Sequence, residues 1–354
     1  MSPVPGHRTG KTMQAFVLYK PHDLRLEERP TPAINADQVL VHIRAVGVCG
    51  SDVHYWHSGR IGPVVVEKPM ILGHECAAEV VEIGANVAHL RLGDRVALEP
   101  GVPCGRCDLC RAGQYNLCPD VVFLATPPVD GAFCEYVAHK GTFAFKLPEG
   151  MSFEEGTMCE PLSVGIHAVR RAGIGLGDSV LITGAGPIGL LTLMAARAAG
   201  ATTTIITDVQ PNRLELAREL GATATADVRS EGALGLVRDL TQGRGVDAVI
   251  ECTGLSDPML TGLEAAKSGG TVVWVGMTDD QYNIPAVKTI RKELDIKGIF
   301  RYRNTYLAAI DLIATGRAEV ARLITHRFPL NRLQEAMEVA HTGRDGAVKV
   351  MVEV

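Results

Sequence analysis

Four cysteines fall within fifteen residues of the chain: Cys104, Cys107, Cys110 and Cys118. Four thiolates can complete a tetrahedral shell around zinc and leave no position for a substrate. Similar spacings also hold iron–sulfur clusters, so the identity of the metal stays open at this point. The segment has little apolar content and no core of its own, so a bound metal would supply its order. The spacing therefore predicts a structural metal site, with zinc as the expected ion, and says nothing about a reaction.

A glycine-rich loop separates a predicted strand from a predicted helix. It consists of Gly184, Ala185, Gly186, Pro187, Ile188 and Gly189. A loop of this kind lets the N–H groups at the start of a helix approach a pyrophosphate. Asp208 ends the next predicted strand, where a carboxylate binds the ribose hydroxyls and repels a 2′-phosphate. The pattern predicts a site for NAD⁺ rather than NADP⁺, with Arg213 either against the adenine or solvated on its helix.

A thiol, an imidazole and carboxylates occur at Cys49, His74, Glu75 and Glu160. These groups are suitable zinc ligands, and three protein ligands with one open position are typical of a catalytic zinc. Considered alone, a single cysteine or histidine is more often packed in a core than bound to a metal. Residue types alone thus leave this second metal site open.

The elements that must position these groups differ between the two halves of the chain. Up to about residue 160, short β-runs rich in Val, Ile and aromatics alternate with turns. From residue 162, apolar strands alternate with helices, which indicates βαβ units and a parallel sheet. The predicted strands are 13–19, 39–48, 76–84, 94–100, 133–139, 179–184, 203–208, 246–254, 270–276, 295–300 and 347–354. The predicted helices are 190–200, 213–221, 257–267, 305–316 and 331–343.

Length and composition limit the class of protein. The chain has 354 residues, which favours two domains, and a net charge of −5 with no basic run, which argues against nucleic acid as a partner. No apolar stretch reaches the roughly 18 residues that a membrane-spanning helix needs. Nine cysteines, an odd number, and an N-terminus without an apolar signal core favour reduced thiols and a cytoplasmic protein.

Several longer motifs carry a resemblance to a known family. They are the CGSDVHY stretch at 49–55, GHE at 73–75, the four-cysteine segment, FLATPPVDG at 123–131, EPLSVGIHA at 160–168, the glycine loop, IECTG at 250–254, DIKGIFRY at 295–302 and THRFPL at 325–330. Together they resemble the zinc-dependent medium-chain dehydrogenase/reductase family, and within it the polyol branch of sorbitol and xylitol dehydrogenases. The resemblance extends from Met13 nearly to the C-terminus.

The resemblance implies an α/β fold, a doubly wound Rossmann sheet inserted into a GroES-like, partly open β-barrel domain. The expected segments are a flexible extension (1–12), the catalytic domain (13–161) with its zinc loop (103–118), the NAD-binding domain (162–300) and a C-terminal return to the catalytic domain (301–354).

The resemblance also implies roles for single residues at the metal. Cys49 and His74 match zinc ligands, and Glu75 matches a carboxylate that coordinates the metal or exchanges with it. Glu160 matches a group that holds a water molecule or a substrate hydroxyl. Related alcohol dehydrogenases have a second cysteine at this position, so a match shifted by one residue would place Cys159 there and give a site of two cysteines and one histidine. Ser51 and His54 match a relay that carries the proton to solvent.

Further positions match residues that contact substrate and cofactor. The polyol-contacting positions are Tyr55, Phe123, Glu160, Arg301 and Tyr302. The positions whose backbone meets the nicotinamide are Val275, Gly276, Met277, Ile299, Phe300 and Arg301. The implied reaction oxidises a secondary hydroxyl of a polyol to a ketose with hydride transfer to NAD⁺, in a homotetramer.

Other reactions stay open on the sequence. Zinc-containing relatives oxidise threonine, aldoses, sugar-alcohol phosphates or simple alcohols. Zinc-free relatives reduce quinones or enoyl groups with NADPH but lack the Cys49, His74 and Glu75 set. A zinc-knuckle module that binds nucleic acid is opposed by the acidic net charge.

Overall fold

The computed structural model describes residues 12–230, 232–277 and 281–354. Of the predicted N-terminal extension, only Thr12 lies within the described residues, and it begins the first strand. The chain divides into two compact units. The first contains the chain up to Glu160 together with Ala321–Val354, and the second contains Pro161–Val320.

The elements are numbered in chain order. The strands are β1 (Thr12–Lys20), β2 (Asp23–Pro30), β3 (Gln38–Gly47), β4 (Arg60–Ile61), β5 (Val64–Val65), β6 (Met70–Ile71), β7 (Glu75–Ile83), β8 (Arg95–Leu98), β9 (Gly101–Val102), β10 (Val122–Phe123), β11 (Tyr136–Lys140), β12 (Ala144–Lys146), β13 (Ser179–Thr183), β14 (Thr203–Asp208), β15 (Ala224–Asp227), β16 (Val246–Glu251), β17 (Ala266–Trp274), β18 (Asp295–Gly298), β19 (Ile324–Pro329) and β20 (Lys349–Glu353). The α-helices are α1 (Gly50–Ser58), α2 (Asp108–Arg111), α3 (Phe153–Thr157), α4 (Cys159–Ala172), α5 (Pro187–Ala199), α6 (Pro211–Glu219), α7 (Ala233–Leu240), α8 (Ser256–Ala265), α9 (Ala286–Lys292), α10 (Tyr306–Ala314) and α11 (Leu333–Thr342). Among the helices that the structure describes, none has both the length and the apolar character needed to cross a membrane.

The first unit is built around a bent, mostly antiparallel sheet. Its strands follow the order β12-β8-β7-β3-β20-β19, and β11 also pairs with β3. Alternate residues of β3, such as Val39, Val41 and Ile43, are fully buried in one apolar cluster with Phe133. The last strand, β20, pairs with β3, with Val352 opposite Val46. This pairing places the end of the chain in the first unit.

The second unit is a six-stranded parallel sheet in the order β15-β14-β13-β16-β17-β18. The strands are nearly continuous apolar runs because helices cover the sheet, and Leu181, Val249 and Val272 are fully buried. On one side of the sheet the strands follow the chain outwards from β13 to β14 and β15, and on the other side they follow it from β16 to β17 and β18. Ligands in open sheets of this kind bind at the carboxyl ends of the strands, where the direction of winding reverses.

The boundary after the second unit differs from the expected one. We expected the C-terminal return to begin at residue 301, whereas it begins at Ala321. Residues 301–320 belong to the second unit because their contacts lie there: the Arg170 guanidinium donates to the Asn304 carbonyl at 2.7 Å. The helix α10 buries Tyr306 and Ile310 in the same unit.

Candidate active site

Three of the predicted metal ligands come together in the first unit. Cys49 follows β3 and is the N-cap of α1, while His74 and Glu75 stand at the start of β7. The two strands are antiparallel neighbours, with Gly47 opposite Glu75, so the sheet brings the thiol to the imidazole and carboxylate. One donor atom from each of the three residues lies within 4.8 Å of the other two. His74 and Glu75 are buried and Cys49 is half-buried.

Asp52 holds these ligands in place, although the sequence analysis did not identify it. Its buried carboxylate accepts the N–H of Cys49 at 3.0 Å and the N–H of Gly73 at 2.9 Å. The same carboxylate lies 3.6 Å from Nδ1 of His74. A carboxylate at one ring nitrogen fixes the orientation of a histidine that uses the other nitrogen for a metal. A sequence signal existed, since Asp52 stands three residues after Cys49 at the N-terminus of α1, the position of a capping-box acid.

Lys349 is a second residue that the sequence analysis missed. The residue is 2% exposed, its ammonium forms an ion pair with Glu75, and the ammonium also donates to the Val48 carbonyl at 3.1 Å. The pair fills the space beside Gly47, where an added Cβ would lie 2.2 Å from Oε2 of Glu75. Lys349 comes from β20, so the returning end of the chain supplies a cation to the centre. No local pattern in the sequence indicates this.

The electrostatics of the cluster favour a bound cation. Burial alone would lower the pKa of His74, but the Asp52 carboxylate and the Cys49 thiol hold that pKa well above its usual value. Burial likewise acts to lower the pKa of Lys349, and Glu75, Cys49 and Glu160 together raise it. Oε2 of Glu75 is buried, and its charged neighbour is the Lys349 ammonium. A thiol, an imidazole and a carboxylate whose donor atoms lie this close together are a set that fits zinc.

Glu160 lies near this centre but outside the three-residue group. It is buried, and its charge helps to raise the pKa of Lys349 and of Glu99. Its role as a direct ligand stays a prediction. The neighbouring Cys159 is fully buried, its thiol faces the Glu155 carbonyl at 3.9 Å, and it too is outside the group.

The proposed relay residues lie on α1. Ser51 is half-buried in the first turn and His54 is exposed to solvent. Exposure therefore increases from Ser51 to His54, which is consistent with a path that carries protons from the metal ligands to solvent.

The four-cysteine segment forms a second group of donors. The sulfurs of Cys104, Cys107, Cys110 and Cys118 all lie within 4.8 Å of one another. Cys107 caps the short helix α2, and backbone N–H groups of Arg106 and Cys107 lower the pKa of Cys104 to about 6. A low pKa favours the thiolate, the form that binds metal. The donor set fits the predicted structural zinc.

The predicted substrate contacts are distributed over both units. In the first unit, Tyr55 is buried on α1, and the Phe123 ring lies 5.6 Å from the His74 ring. In the second unit, Tyr302 is buried, and the Arg301 guanidinium lies 4.7 Å from the centre of the Phe300 ring. Arg301 has φ = 55°, a left-handed conformation that is unusual for a side chain of this size and is often found at functional loops.

The glycine loop of the second unit has the geometry of a dinucleotide site. Gly184 has φ = 89°, and a Cβ on Gly189 would lie 1.8 Å from the Gly184 carbonyl oxygen. Helix α5 begins directly after Gly186, with Pro187 and Ile188 in its first turn. The carboxylate of Asp208 reaches the loop and accepts the N–H of Ala185 at 2.7 Å. A Cβ added to Gly186 would stand 3.9 Å from the guanidinium of Arg213.

The other predicted cofactor segments follow β17 and β18. Val275 and Gly276 donate their N–H groups to the Glu251 carbonyl at 2.8 and 3.1 Å. Met277 and Phe300 are largely exposed to solvent. The N–H of Ile299 donates to the backbone carbonyl of Trp274 at 3.2 Å. These segments lie at the carboxyl edge of the parallel sheet, as does the glycine loop.

Comparisons with known proteins agree with this geometry. Residues 35–149 match the family described as alcohol dehydrogenase GroES-like domain, and residues 187–315 match the family described as zinc-binding dehydrogenase. The sorbitol dehydrogenase of Bacillus subtilis is 45% identical over 349 residues, which are 98% of each chain.

Two solved structures extend the similarity to the fold. The L-idonate 5-dehydrogenase of Escherichia coli has a TM-score of 0.91 and 30% identity, covering 97% of this chain and 99% of that one. A zinc-binding dehydrogenase from Sinorhizobium meliloti, bound to NADP, has a TM-score of 0.89 and 35% identity, covering 97% of this chain and 100% of that one. These likenesses confirm the expected combination of a GroES-like and a Rossmann-type domain.

Proposed function

Since the chain belongs to the zinc-dependent medium-chain dehydrogenase/reductase family, and to its polyol branch, we propose that it oxidises a secondary hydroxyl of an open-chain polyol to a ketose with hydride transfer to NAD⁺. The observation that carries the proposal is the group formed by Cys49, His74 and Glu75, whose donor atoms lie within 4.8 Å of one another. The similarity to a sorbitol dehydrogenase over 98% of both chains supports the substrate class.

Zinc, the nicotinamide cofactor and the protein side chains have separate tasks in this proposal. Zinc held by Cys49, His74 and Glu75 would supply the Lewis acidity that makes a hydroxyl easier to deprotonate, and the nicotinamide would accept the hydride. Asp52 fixes the imidazole, and Lys349 holds Glu75. The proton passes from the substrate hydroxyl to Glu160, or through Ser51 to His54, whose imidazole is exposed to solvent and can both accept and donate a proton.

Substrate recognition requires several polar partners because an open-chain polyol carries several hydroxyls. Glu160, Arg301 and the tyrosines at 55 and 302 offer donors and acceptors of the right kind. A second candidate substrate is a related alcohol, and the likeness to an L-idonate 5-dehydrogenase favours a hydroxy acid or sugar derivative within that group. Threonine, aldoses, sugar-alcohol phosphates and simple secondary alcohols complete the alternatives.

The preference for NAD⁺ rests on Asp208. Its carboxylate lies at the glycine loop, where it can accept hydrogen bonds from ribose hydroxyls and repel a 2′-phosphate. We expect Asp208→Ala to weaken NAD⁺ use and to raise the relative use of NADP⁺, measured as the ratio of kcat/KM for the two cofactors. An unchanged ratio would count against this role.

A substrate panel tests the reaction itself. Sorbitol, xylitol, other four- to six-carbon polyols and their phosphates, threonine, aldoses and 2-propanol are each supplied with NAD⁺ or NADP⁺, and NADH or NADPH absorbance is followed. We expect the highest kcat/KM with an unphosphorylated polyol and NAD⁺, and metal analysis giving two zinc ions per chain, one for each donor group. Turnover confined to another substrate class would refute the polyol assignment.

For assembly we propose a homotetramer. Val287 and Ile290 on α9 are 72% and 75% exposed, and they belong to the same unit as the edge strand β18. Apolar side chains so exposed are typical of contacts between subunits. Light scattering after size-exclusion chromatography measures the mass, and a stable monomer would contradict the proposal.

All nine cysteines are free, which is consistent with a cytoplasmic location.

A further inference from the structure

A fully buried carboxylate lies at the carboxyl end of the central strand β16. Glu251 is 0% exposed. Its Oε1 accepts the N–H of Thr253 at 2.6 Å and the hydroxyl of Thr183 at 3.3 Å, and it also accepts the hydroxyl of Thr253. Its Oε2 accepts the N–H of Gly254 at 2.9 Å. A carboxyl group can be buried in such a place only because several hydrogen-bond donors replace its water.

The backbone of Glu251 joins a third segment to this cluster. Its carbonyl accepts the N–H groups of Val275 and Gly276, and the N–H of the following residue, Cys252, donates to the Thr183 carbonyl at 2.9 Å. Glu251 therefore bonds to the end of β13, to the turn after β16 and to the turn after β17.

The three segments are packed too closely for additional side-chain atoms. A Cβ on Gly276 would lie 2.0 Å from the N atom of Gly254. A Cβ on Gly184 would lie 2.8 Å from the methyl carbon of Thr253. The relative positions of the glycine loop and of the Val275–Met277 segment are thus set by the turn that the Glu251 carboxylate holds.

We propose that Glu251 is a positioning residue for the dinucleotide: its carboxylate holds the turn at Thr253 and Gly254 against the glycine loop and the segment after β17, and so sets the surface that receives the cofactor. The inference rests on the proposed function, because it takes the dinucleotide to bind at this edge of the sheet. Glu251 itself is buried and need not touch the cofactor.

The same strand offers a matched control at its opposite end. Asp247 also lies on β16 and also accepts bonds from β13: its Oδ2 accepts the N–H and the hydroxyl of Ser179 at 2.8 and 2.6 Å. Both carboxylates therefore link the same two strands, but Asp247 lies at the amino edge of the sheet. Ligands in such sheets bind at the carboxyl edge, so only Glu251 should affect the cofactor.

The experiment is a fluorescence titration of the zinc-loaded protein with NADH, made on the wild type, Glu251→Gln and Asp247→Asn. In Glu251→Gln an amide N–H₂ replaces one acceptor oxygen and faces a backbone N–H, so we expect the Kd for NADH to rise about tenfold. The KM for NAD⁺ should rise in the same variant while the KM for the polyol stays unchanged. Asp247→Asn should lower the melting temperature and leave the Kd for NADH unchanged.

The outcomes separate this inference from the proposed function. A wild type that does not bind NADH refutes the cofactor assignment of the proposed function. A wild type that binds NADH, with Glu251→Gln binding it equally well, overturns the role of Glu251 alone. An equal rise of the Kd in Asp247→Asn would also overturn it, because the effect would then follow from general loosening of the sheet.

A second pair of variants decides the matter if Glu251→Gln does not fold. Thr253→Val removes the hydroxyl that bonds to Glu251, whereas Thr253→Ser keeps it. We expect weaker NADH binding in Thr253→Val and binding close to wild type in Thr253→Ser. Equal affinities in the two variants would contradict the inference.

Discussion

The two groups of metal donors differ in what holds them. Cys49 comes from one segment and the adjacent residues His74 and Glu75 from another, and these segments stand on paired strands and the start of a helix within a large buried core. The four cysteines lie in one segment of fifteen residues whose only regular elements are α2 and a single 3-10 turn.

This difference indicates which metal does which work. A centre whose ligands are fixed by a sheet does not need the metal for its order, so the metal is available for chemistry. A loop without a core takes its order from the metal, and four thiolates leave no open position for a substrate. Removal of the first metal should therefore affect turnover, and removal of the second should affect stability.

The largest expected effect is that of Cys49→Ser on turnover. We expect kcat to fall by roughly a thousandfold or more, since the Lewis acid is worth several kcal/mol of transition-state stabilisation. NADH binding, which we propose for the second unit, should remain nearly intact, and the melting temperature should change little because serine is a good N-cap. Unaltered turnover with zinc retained would refute the ligand assignment.

The reciprocal variant is Cys110→Ser in the four-cysteine segment. We expect the free energy of unfolding to fall by about 5 kcal/mol, because loss of a structural metal removes the order of the loop. Turnover per folded molecule should be preserved below the new melting temperature. Urea unfolding and zinc analysis check this, and a variant with full stability but reduced turnover would reverse the comparison.

Lys349 marks an electrostatic difference between the two groups of metal donors. Its ammonium lies beside the Glu75 carboxylate in the group formed by Cys49, His74 and Glu75. In the metal-free protein, Lys349→Met should cost about 3–5 kcal/mol of unfolding free energy, since it leaves Glu75 buried without a counter-charge. In the zinc-loaded protein the metal can neutralise Glu75, so the cost should be smaller. Urea unfolding of both forms measures the difference.

Lys146→Met provides the control for Lys349→Met. Lys146 also pairs with a carboxylate, that of Asp94, but its side chain is exposed. Exposed pairs contribute at most about 1 kcal/mol, so we expect little change in either form. Equal losses in metal-free and zinc-loaded Lys349→Met would show that Glu75 does not exchange its partner for the metal.

The same contrast explains what the sequence could predict. The four cysteines and the glycine loop are local patterns, so spacing alone indicated both sites. The parallel sheet followed from continuous apolar strands between helices, and the predicted strand 203–208 coincides with β14. The donor residues 49, 74 and 75 required a family resemblance, because their meeting depends on the pairing of β3 with β7.

The residues that sequence analysis missed act through tertiary contacts. Lys349 reaches Glu75 only because β20 pairs with β3. In the sequence Glu251 is an ordinary strand end, and its role depends on partners at the end of β13 and after β17. The boundary at residue 300 was wrong for a similar reason: residues 301–320 follow the last strand of the parallel sheet, and their contacts keep them in that unit.

The smallest expected effect concerns Asp52, whose contacts show how the sheet-based centre is stiffened. In Asp52→Asn an amide N–H₂ must face the N–H of Cys49 or of Gly73, and the charge beside His74 is lost. Substitutions of carboxylates that support a ligand usually cost about 10–100-fold in metal affinity. We expect a loss of that size for zinc at the catalytic centre, measured by competition with a chelator, and no change at the four-cysteine site.

Asp130→Asn is the matched control, because Asp130 also accepts a backbone N–H in the same unit, that of Ile71 at 2.9 Å. The hydrogen bond of Asp130 goes to Ile71 and not to Cys49, His74 or Glu75. This variant should therefore lose some stability and keep its zinc affinity. If both variants lost zinc equally, the effect would come from general softening of the unit. If neither did, the strands alone would hold His74 and Cys49, and the contrast between the two metal groups would rest on backbone pairing without help from Asp52.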